Sequence, residues 1–459
     1  MKDRSEVFDC RLAGVLLHLR SLGSAENANR IYHWLDFMEK AGLKVWQFLP
    51  LGVPHEDGSP YQTQSAFAVD PCLFPEAAMI FGLDPHGEDF DRYCSEQSIW
   101  LDDYAMYTAL KRLYAGRPWF DWLPAHRDRD PAALETLAKQ HEEEIRAVKW
   151  QQYSLLEYWK GLHRHASDMG VLLFGDLPIF VAHDSADVWA HPEWFLLDAE
   201  GQLLYESGVP PDYFSETGQH WGNPHYNWEA MQKDGFSWWL ARIRYLLEWV
   251  DIFRIDHFRG FEAVWMIDAD SKTAAEGHWQ KTPGEALLET IRDQLGEVPM
   301  IAENLGVITP EVTQLQERFK LPGMAVLQFA FDEFEDNPHK PWNMSAQTVA
   351  YTGTHDNDTM AGWFASLTDE QRNNVYEMLS IDPDDDPVWG MIDSVMASKA
   401  WLSVVPMQDF LSLGSEHRMN TPGTIEGNWQ WLLPDDACEG DLAERISMYV
   451  ETEGRSCDG

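Results

Sequence analysis

DIFRIDHFRGF (251–261) is a short hydrophobic strand that ends in charged side chains. Two other segments of the 459-residue chain repeat this arrangement, MIAENLG (300–306) and YTGTHDND (351–358). A carboxylate therefore closes each of three β-like runs, namely Asp256, Glu303 and Asp356. Polar residues directly after buried strands are typical of a (β/α)8 barrel, because the carboxyl ends of its strands carry the chemistry.

Eight strand-like segments occur along the chain, which is the number that a (β/α)8 barrel requires. Their residues are mostly Val, Ile, Leu and Phe without polar alternation, as is typical of parallel strands covered by helices. They are 13–19, 43–50, 170–180, 251–256, 299–305, 324–331, 349–356 and 401–410. Amphipathic helical patterns lie between several of them, including 26–41, 235–250 and 310–319. We therefore predict one α/β domain over residues 1–459, built as a (β/α)8 TIM barrel.

The uneven spacing of these strands predicts insertions into the barrel. About 120 residues separate the second strand from the third, far more than one crossover helix needs. Helical patterns at 103–114 and 132–149 predict a mainly helical subdomain at about 75–150. The next connection contains GVPPDYFSETGQHWGNPHYNW (208–228), in which glycine and proline flank aromatic residues. We predict that it is an active-site flap loop, the alternative being an ordinary surface loop.

The composition restricts the possible partners. The 76 acidic and 34 basic residues give a formal net charge of −42. Such a surface repels nucleic-acid phosphates and anionic membranes, so we predict neither as a partner. The charge favours solubility, and adaptation to high salt is a second interpretation.

The cysteines and the apolar runs favour a cytoplasmic protein. The five cysteines show neither metal-ligand nor redox spacing, and the residues after Met1 do not resemble a signal peptide. No apolar run approaches the about 18 residues of a membrane span. We therefore expect a reducing compartment and no membrane segment.

Three carboxylates at one barrel mouth are typical of enzymes that break and form glycosidic bonds. Arg254 and Asp256 are two residues apart, so their side chains face the same side of a strand. We expect the guanidinium to keep Asp256 ionised and to lower its pKa, although a structural ion pair is the alternative. Glu303 would need a raised pKa, from burial or a second carboxylate, to act as an acid.

The HDND run around Asp356 allows two interpretations. A third carboxylate can bind the ring hydroxyls of a sugar and help to distort it. A metal site is the other possibility, but the histidines do not recur at ligand spacing with the carboxylates, so we predict no metal.

Two loops add aromatic side chains to the predicted barrel mouth. In DGSPYQTQSAF (57–67), the Pro60–Tyr61 turn presents a ring after the second strand. The flap segment supplies Asp212, Tyr213, Phe214, His220 and Trp221. Flat sugar faces pack well on such rings, whereas most of the 22 tryptophans are expected to fill a large core.

Together the motifs resemble the amylomaltases, or 4-α-glucanotransferases, of glycoside hydrolase family 77. The similarity covers nearly the whole chain and includes SPYQTQSAFA (59–68), DLPIFVAHDSADVWAHPEWF (176–195), FRIDHFRGFEAVW (253–265), IAENLGVITPEV (301–312) and RMNTPGTIEGNWQW (418–431). The resemblance implies a (β/α)8 barrel with inserted subdomains that transfers a 1,4-α-glucan segment to a 4-hydroxyl acceptor. It implies no cofactor.

The resemblance also implies roles for single residues. By motif, Asp256 corresponds to the nucleophile, Glu303 to the acid/base and Asp356 to the aspartate that stabilises the transition state. The positions that correspond to substrate-binding residues are Tyr61, Asp212, Trp221, Arg254 and His355. The implied substrates are maltodextrin, maltose, glucose and other α-1,4-glucans, bound by a monomer or a weak homo-oligomer. A retaining α-glucan hydrolase and a non-catalytic glucan-binding protein are the alternatives.

The chain departs from the family pattern after its first strand. Family members have a Gly- and Pro-rich loop there, whereas this chain reads LRSLGSAENAN (19–29). The 75–150 insertion is also short. We expect these departures to affect acceptor binding, preferred chain length or a secondary glucan-binding site, and not the three carboxylates.

Overall fold

The computed structural model describes residues 10–23, 29–74, 77, 84–211 and 217–456. Its strands are β1 (Leu12–Leu16), β2 (Val45–Gln47), β3 (Leu172–Leu177), β4 (Tyr205–Val209), β5 (Gln219–Pro224), β6 (Ile252–Ile255), β7 (Ala263–Asp268), β8 (His278–Lys281), β9 (Met300–Ala302), β10 (Gly323–Val326), β11 (Thr348–Tyr351) and β12 (Leu402–Pro406). Eight of them form one parallel sheet in the order β10–β11–β12–β1–β2–β3–β6–β9. Each of the eight predicted strand segments overlaps one of these strands.

The parallel sheet curves into a nearly closed barrel, which confirms the predicted (β/α)8 TIM fold. Its two ends adjoin where the Ala302 N–H donates to the Pro322 carbonyl at 2.9 Å. The pairing of β3 with β6 sets Asp176 opposite Arg254. Both side chains are buried, so this register brings a carboxylate and a guanidinium together inside the barrel mouth.

The remaining strands form an antiparallel sheet in the order β5–β4–β7–β8. Strands β4 and β5 overlap the segment predicted as a flap loop, and within its described residues they form the two arms of an antiparallel hairpin. Its tip, residues 212–216, lies outside the described residues. The hairpin forms because the backbone of β4 pairs along its length with the apolar strand β7, in which Trp265 lies opposite Gly208.

Helices cover the barrel and build the insertion. They are α1 (Arg30–Lys40), α2 (Glu88–Glu96), α3 (Leu101–Leu113), α4 (Pro124–Arg127), α5 (Pro131–Gln140), α6 (Glu142–Asp168), α7 (Ala186–Ala190), α8 (Trp228–Lys233), α9 (Ser237–Leu246), α10 (Gly284–Leu295), α11 (Pro310–Arg318), α12 (Met360–Ser366), α13 (Asp369–Leu379), α14 (Pro387–Ala397), α15 (Met407–Phe410) and α16 (Leu442–Thr452). Across the described ranges, none has the length and apolar character that a membrane crossing needs.

Helices α2 to α6 occupy the predicted insertion, and α6 continues past residue 150 to lead the chain into β3. The insertion is fastened to the barrel through Asp184. This carboxylate accepts a hydrogen bond from the Tyr107 hydroxyl at 2.8 Å and pairs with Lys111 at 2.7 Å. The insertion therefore packs on the loop that follows β3.

Candidate active site

A buried network of Asp176, Arg254 and Tyr61 lies at the carboxyl ends of β2, β3 and β6. Arg254 donates from Nε to Asp176 Oδ1 at 3.0 Å and from Nη2 to Asp176 Oδ2 at 2.6 Å. The Tyr61 hydroxyl donates to Asp176 Oδ2 at 2.6 Å and accepts from Arg254 Nη2 at 3.0 Å. The network holds Arg254 at a fixed position beside the barrel axis.

Asp256 follows β6 and contacts this network. Its Oδ1 accepts from Arg254 Nη2 at 3.1 Å, so the predicted proximity of the two side chains is confirmed. The predicted lowering of its pKa is wrong in net direction, because desolvation raises the pKa of Asp256 well above its usual range. Arg254 opposes that shift, but Asp176, Glu303 and Asp356 add to it. One guanidinium, already paired with Asp176, cannot neutralise four carboxylates.

Glu303 follows β9, on the neighbouring strand. Its Oε2 accepts from the His257 N–H at 2.8 Å and its Oε1 from the Leu305 N–H at 2.8 Å. Burial raises the pKa of Glu303, while Arg254 and the two N–H donors oppose the rise. A raised pKa is what an acid working near neutral pH requires, as the sequence analysis anticipated.

His257 joins the two carboxylates through its backbone. It adopts a left-handed conformation, with φ 51° and ψ 50°, directly after Asp256. This conformation is costly for a residue with a Cβ and occurs where the surrounding structure enforces it. Here it turns the chain so that the His257 N–H faces Glu303. Burial lowers the pKa of the His257 side chain to about 4, so its ring is neutral at neutral pH.

Asp356 lies in the loop after β11 and is the most exposed of the three carboxylates, at 50% of its side chain. Its Oδ1 accepts from Asn420 Nδ2 at 2.7 Å, and its carbonyl accepts from Arg418 Nη2 at 3.0 Å. His355 Nε2 lies 3.4 Å from Asp356 Oδ1. Burial lowers the pKa of His355, so a neutral imidazole stands beside the carboxylate.

Aromatic rings line the same mouth. Tyr61 stacks on His355 at 5.2 Å between ring centroids, and Trp429 lies 5.9 Å from both rings. Trp221, on β5, contacts His257 edge to face at 4.9 Å. The structure thus brings Tyr61, Trp221, Arg254 and His355 close to the carboxylates. The remaining predicted residue, Asp212, lies outside the described residues.

Hydrogen bonds from neighbouring elements hold the aromatic loops in place. Gln62 Nε2 donates to the Trp221 carbonyl at 3.0 Å and to Asn223 Oδ1 at 3.1 Å. Asp187 Oδ2 accepts from the Ala66 N–H at 2.7 Å. The loop that carries Tyr61 is therefore tied both to the hairpin and to the segment after β3.

The sequence analysis did not single out three residues of this site: Asp176, Asn420 and Asp409. Asp176 could have been recognised, because it is a lone carboxylate within an otherwise apolar strand. Asp409 accepts from Thr352 Oγ1 at 2.6 Å and from the Met360 N–H at 2.7 Å, and so joins both ends of the segment that carries Asp356. Asn420 lies on a loop that is distant in the sequence, and no local sequence pattern predicts its contact with the site.

The arrangement combines two half-buried carboxylates at the ends of adjacent strands with a third, more exposed one at the rim. Burial gives Asp256 and Glu303 raised pKa values, so the pair retains a proton more readily than two exposed carboxylates would. Within the described ranges, no group of three or more His, Cys, Asp or Glu side chains is arranged to hold a metal ion. The geometry suits acid-assisted nucleophilic displacement.

Comparison with known proteins places this site in a family. The family model described as 4-alpha-glucanotransferase, of glycoside hydrolase family 77, matches residues 16–83 and 76–436. A 4-alpha-glucanotransferase of Thermus thermophilus is 42% identical, covering 96% of this chain and 99% of the relative. The chloroplastic/amyloplastic 4-alpha-glucanotransferase of Solanum tuberosum is 37% identical, covering 97% and 87%.

A solved structure agrees with these sequence matches. The amylomaltase from Streptococcus agalactiae in complex with acarbose superposes with a TM-score of 0.91 at 32% identity. The superposition covers 97% of this chain and 99% of that protein. The chain therefore belongs to the 4-alpha-glucanotransferase family, glycoside hydrolase family 77.

Proposed function

We propose that this protein transfers a 1,4-α-glucan segment to the 4-hydroxyl of an acceptor glucose or maltodextrin, with retention of configuration. The observation that carries the proposal is the pairing of Asp256 with Glu303 through the His257 turn. A retaining enzyme uses two carboxyl groups, one on each side of the bound glycosidic bond, and here the two lie at the ends of adjacent strands.

In the first displacement, Asp256 is the nucleophile. Its Oδ1 is engaged by Arg254, and no described residue donates to Oδ2, which leaves that oxygen to attack the anomeric carbon. As the new bond forms, the glycosidic C–O bond breaks and Glu303 gives its proton to the departing oxygen. The products of this step are a covalent glucosyl-enzyme on Asp256 and a released chain with a free 4-hydroxyl.

In the second displacement, Glu303 is the base. It takes the proton of the acceptor 4-hydroxyl, whose oxygen attacks the anomeric carbon and releases the Asp256 carboxylate. Two inversions restore the α-configuration, and Glu303 is protonated again for the next cycle. The raised pKa of Glu303 supports both roles, because the group must gain and lose a proton within one turnover.

The other side chains bind and orient the sugar. Asp356 and His355 present a carboxylate and a neutral imidazole at the rim, suited to accepting and donating hydrogen bonds with ring hydroxyls. Tyr61 and Trp221 offer aromatic edges and faces on either side of the carboxylates. We assign these four residues, with Arg254, to substrate binding, and Asp212 by the family motif alone.

The partners and location follow from the same proposal. We propose α-1,4-glucans, including maltodextrin, maltose and glucose, as donors and acceptors for a cytoplasmic monomer or weak homo-oligomer. Cys72, Cys94 and Cys438 are free thiols, as a reducing compartment favours, whereas Cys10 is disulfide-bonded. Alkylation of Cys10 in whole cells tests the proposed location, because it reports whether this cysteine is reduced in the compartment that the protein occupies.

Incubation with maltotriose tests the activity. A transferase yields glucose together with a ladder of maltodextrins longer than maltotriose. A retaining hydrolase, the second candidate, yields only shorter products, and a non-catalytic binding protein yields none. The absence of longer products at high maltotriose concentration would overturn the transferase proposal.

A further inference from the structure

A cavity lies on the outer side of the barrel, behind the loop that carries Tyr61. About 690 Å³ of space lies between its walls when the part open to solvent is included, and the enclosed part is much smaller. Its walls come from the ends of β2 and β3, from helix α9 and from the segment 60–69. Most of the lining is apolar, including Leu51, Phe67 and Leu246, although Tyr61 and Asp176 of the candidate active site also border this space.

One positive charge is buried in the wall of this cavity. Arg242, on α9, is 3% exposed. Its Nε and Nη1 have no hydrogen-bond partner among the residues that the structure describes. The guanidinium lies 5.2 Å and 5.4 Å from the ring centroids of Trp238 and Trp239, which cannot replace hydrogen-bond acceptors. A buried guanidinium with unmet donors is costly, so such a group calls for a ligand or ordered water.

The carboxylate of Asp187 does not accept a hydrogen bond from Nε or Nη1 of Arg242. Asp187 attracts Arg242, but its Oδ1 accepts from Trp238 Nε1 at 3.0 Å and its Oδ2 from the Ala66 N–H at 2.7 Å. Burial lowers the pKa of Arg242, yet an arginine remains charged at any physiological pH. The charge is therefore permanent. Arg242 forms a side-chain hydrogen bond with Tyr226, but its Nε and Nη1 are left for a ligand or water that enters the cavity.

A second donor lines the same cavity. Ser65 is buried, and its Oγ accepts from the N–H groups of Phe67 and Ala68 at 3.1 Å and 3.2 Å. Because the oxygen is occupied as an acceptor, its hydroxyl hydrogen is left to donate, and no described residue accepts it. Ser65 also belongs to the loop that carries Tyr61, so a ligand between Ser65 and Arg242 would join that loop to helix α9.

We propose that this cavity binds a small monovalent anion of the size of chloride, held by Arg242 and Ser65. A single charge fits, because Arg242 supplies one positive charge. Asp176 in the cavity wall and Asp187 beside Arg242 would repel a second negative charge. The site adjoins the proposed glucan cleft, with Tyr61 and Asp176 in the wall between them, but it binds a different chemical class.

Anion binding stabilises the folded protein, because the unfolded chain has no such cavity. The stabilisation saturates with concentration, in contrast to the general effect of salt on a surface of this charge. It also restrains the segment 60–69, which carries Tyr61 into the candidate active site.

The test is a titration of the full chain with sodium chloride at constant ionic strength, with sodium gluconate as the balancing salt. Gluconate carries the same charge as chloride but is a bulky, heavily hydrated anion, so we expect it not to replace a chloride ion between Arg242 and Ser65. We expect a saturable rise in Tm of about 2 °C or more once chloride exceeds its Kd tenfold. Arg242→Met should lose the chloride-dependent rise, whereas Arg244→Met, on the exposed side of the same helix, should keep it.

Diffraction from crystals soaked in sodium bromide gives an independent result. We expect an anomalous bromide peak in contact with the Arg242 guanidinium, and a weakened chloride response in Ser65→Ala. The bromide crystals and the chloride titration of Ser65→Ala still test the proposal if Arg242→Met does not fold. Equal Tm values in chloride and gluconate, together with water alone at Arg242 in the bromide crystals, would overturn the proposal.

Discussion

Asp176 and Arg254 form a buried bidentate ion pair, with Nε–Oδ1 at 3.0 Å and Nη2–Oδ2 at 2.6 Å. The pair follows from the register of two neighbouring barrel strands, which sets the two residues side by side. Asp176 thus shares the guanidinium with Asp256, so that Arg254 only partly offsets the groups that raise the pKa of Asp256. The pKa values of Asp256 and Glu303 are raised mainly by burial, and Asp176 contributes as a further negative charge beside them.

We predict that Asp176→Asn shifts the pH dependence of kcat/KM toward lower pH. Removing this negative charge lowers the pKa of both Asp256 and Glu303, so both limbs of the profile move in the same direction. The loss of charged hydrogen bonds to Arg254 and Tyr61 should also reduce kcat by about 10- to 100-fold. The exposed Glu200→Gln is the control. A profile that keeps its position in Asp176→Asn would contradict this assignment.

Tyr61 contributes to the candidate active site through its hydroxyl and through its ring, and two substitutions separate these effects. Tyr61→Phe removes the hydroxyl that bonds Asp176 and Arg254 but keeps the ring stacked on His355. We expect a fall in kcat of about 10-fold, the effect of one hydrogen bond to a charged group. Tyr61→Ala also removes the ring and should raise KM for maltotriose. Steady-state kinetics of the two variants test this, and identical constants would show that the hydroxyl has no separate role.

Asp409 makes the stability of the fold depend on pH. Burial raises its pKa to about 6, above the usual aspartate value of 3.8 that applies in an unfolded chain. A raised carboxyl pKa contributes stability that is fully present below the unfolded pKa and is lost as the pH rises through the folded one. The window is therefore about pH 4 to pH 6, and the loss is on the order of 3 kcal/mol.

We predict that Asp409→Asn removes this pH-dependent loss. The Tm of the wild-type protein minus that of the variant should fall between pH 4 and pH 6 and then stay constant up to pH 8. The lowered pKa values of buried histidines such as His18 and His225 affect both proteins equally and cancel in the difference. Scanning calorimetry across this range gives the answer, and a difference independent of pH would show that Asp409 titrates normally.

The net charge of −42 predicts a response to salt. Repulsion between surface carboxylates destabilises the compact state, and salt screens it. Activity and Tm should therefore rise between dilute buffer and molar sodium gluconate, a salt chosen so that the Arg242 cavity is not filled. If both stay flat, the acidic surface serves solubility only.

The barrel was predictable because its strands are buried on both faces. Their residues are mostly apolar, so a segment such as 170–180 is recognisable without knowledge of its partners. The antiparallel sheet was not predictable from the sequence, because β4 and β5 contain glycine, asparagine and proline, which are rare in strands. Strand β4 forms through long-range pairing with β7, and β5 forms through pairing with β4. Sequence periodicity does not contain that information.

The acidic residues of the site were likewise predictable from their positions after strands, but their electrostatics were not. Arg254 and Asp256 were correctly expected to be in contact, yet the sign of the Asp256 pKa shift depends on Asp176 and on burial. Asn420, which binds Asp356 from 64 residues away, depends on a loop that only the folded chain brings close. Spacing along the sequence identifies neighbours on one element and misses partners from another.

Trapping of the covalent intermediate is the most direct measurement of the central proposal. In Glu303→Gln, an α-glucosyl fluoride donor should still react, because fluoride leaves without a proton, while the second displacement lacks its base. Peptide mapping by mass spectrometry should then find one glucosyl unit on Asp256. A glucosyl unit on any other residue, or wild-type turnover of maltotriose by Asp256→Asn, would contradict the account.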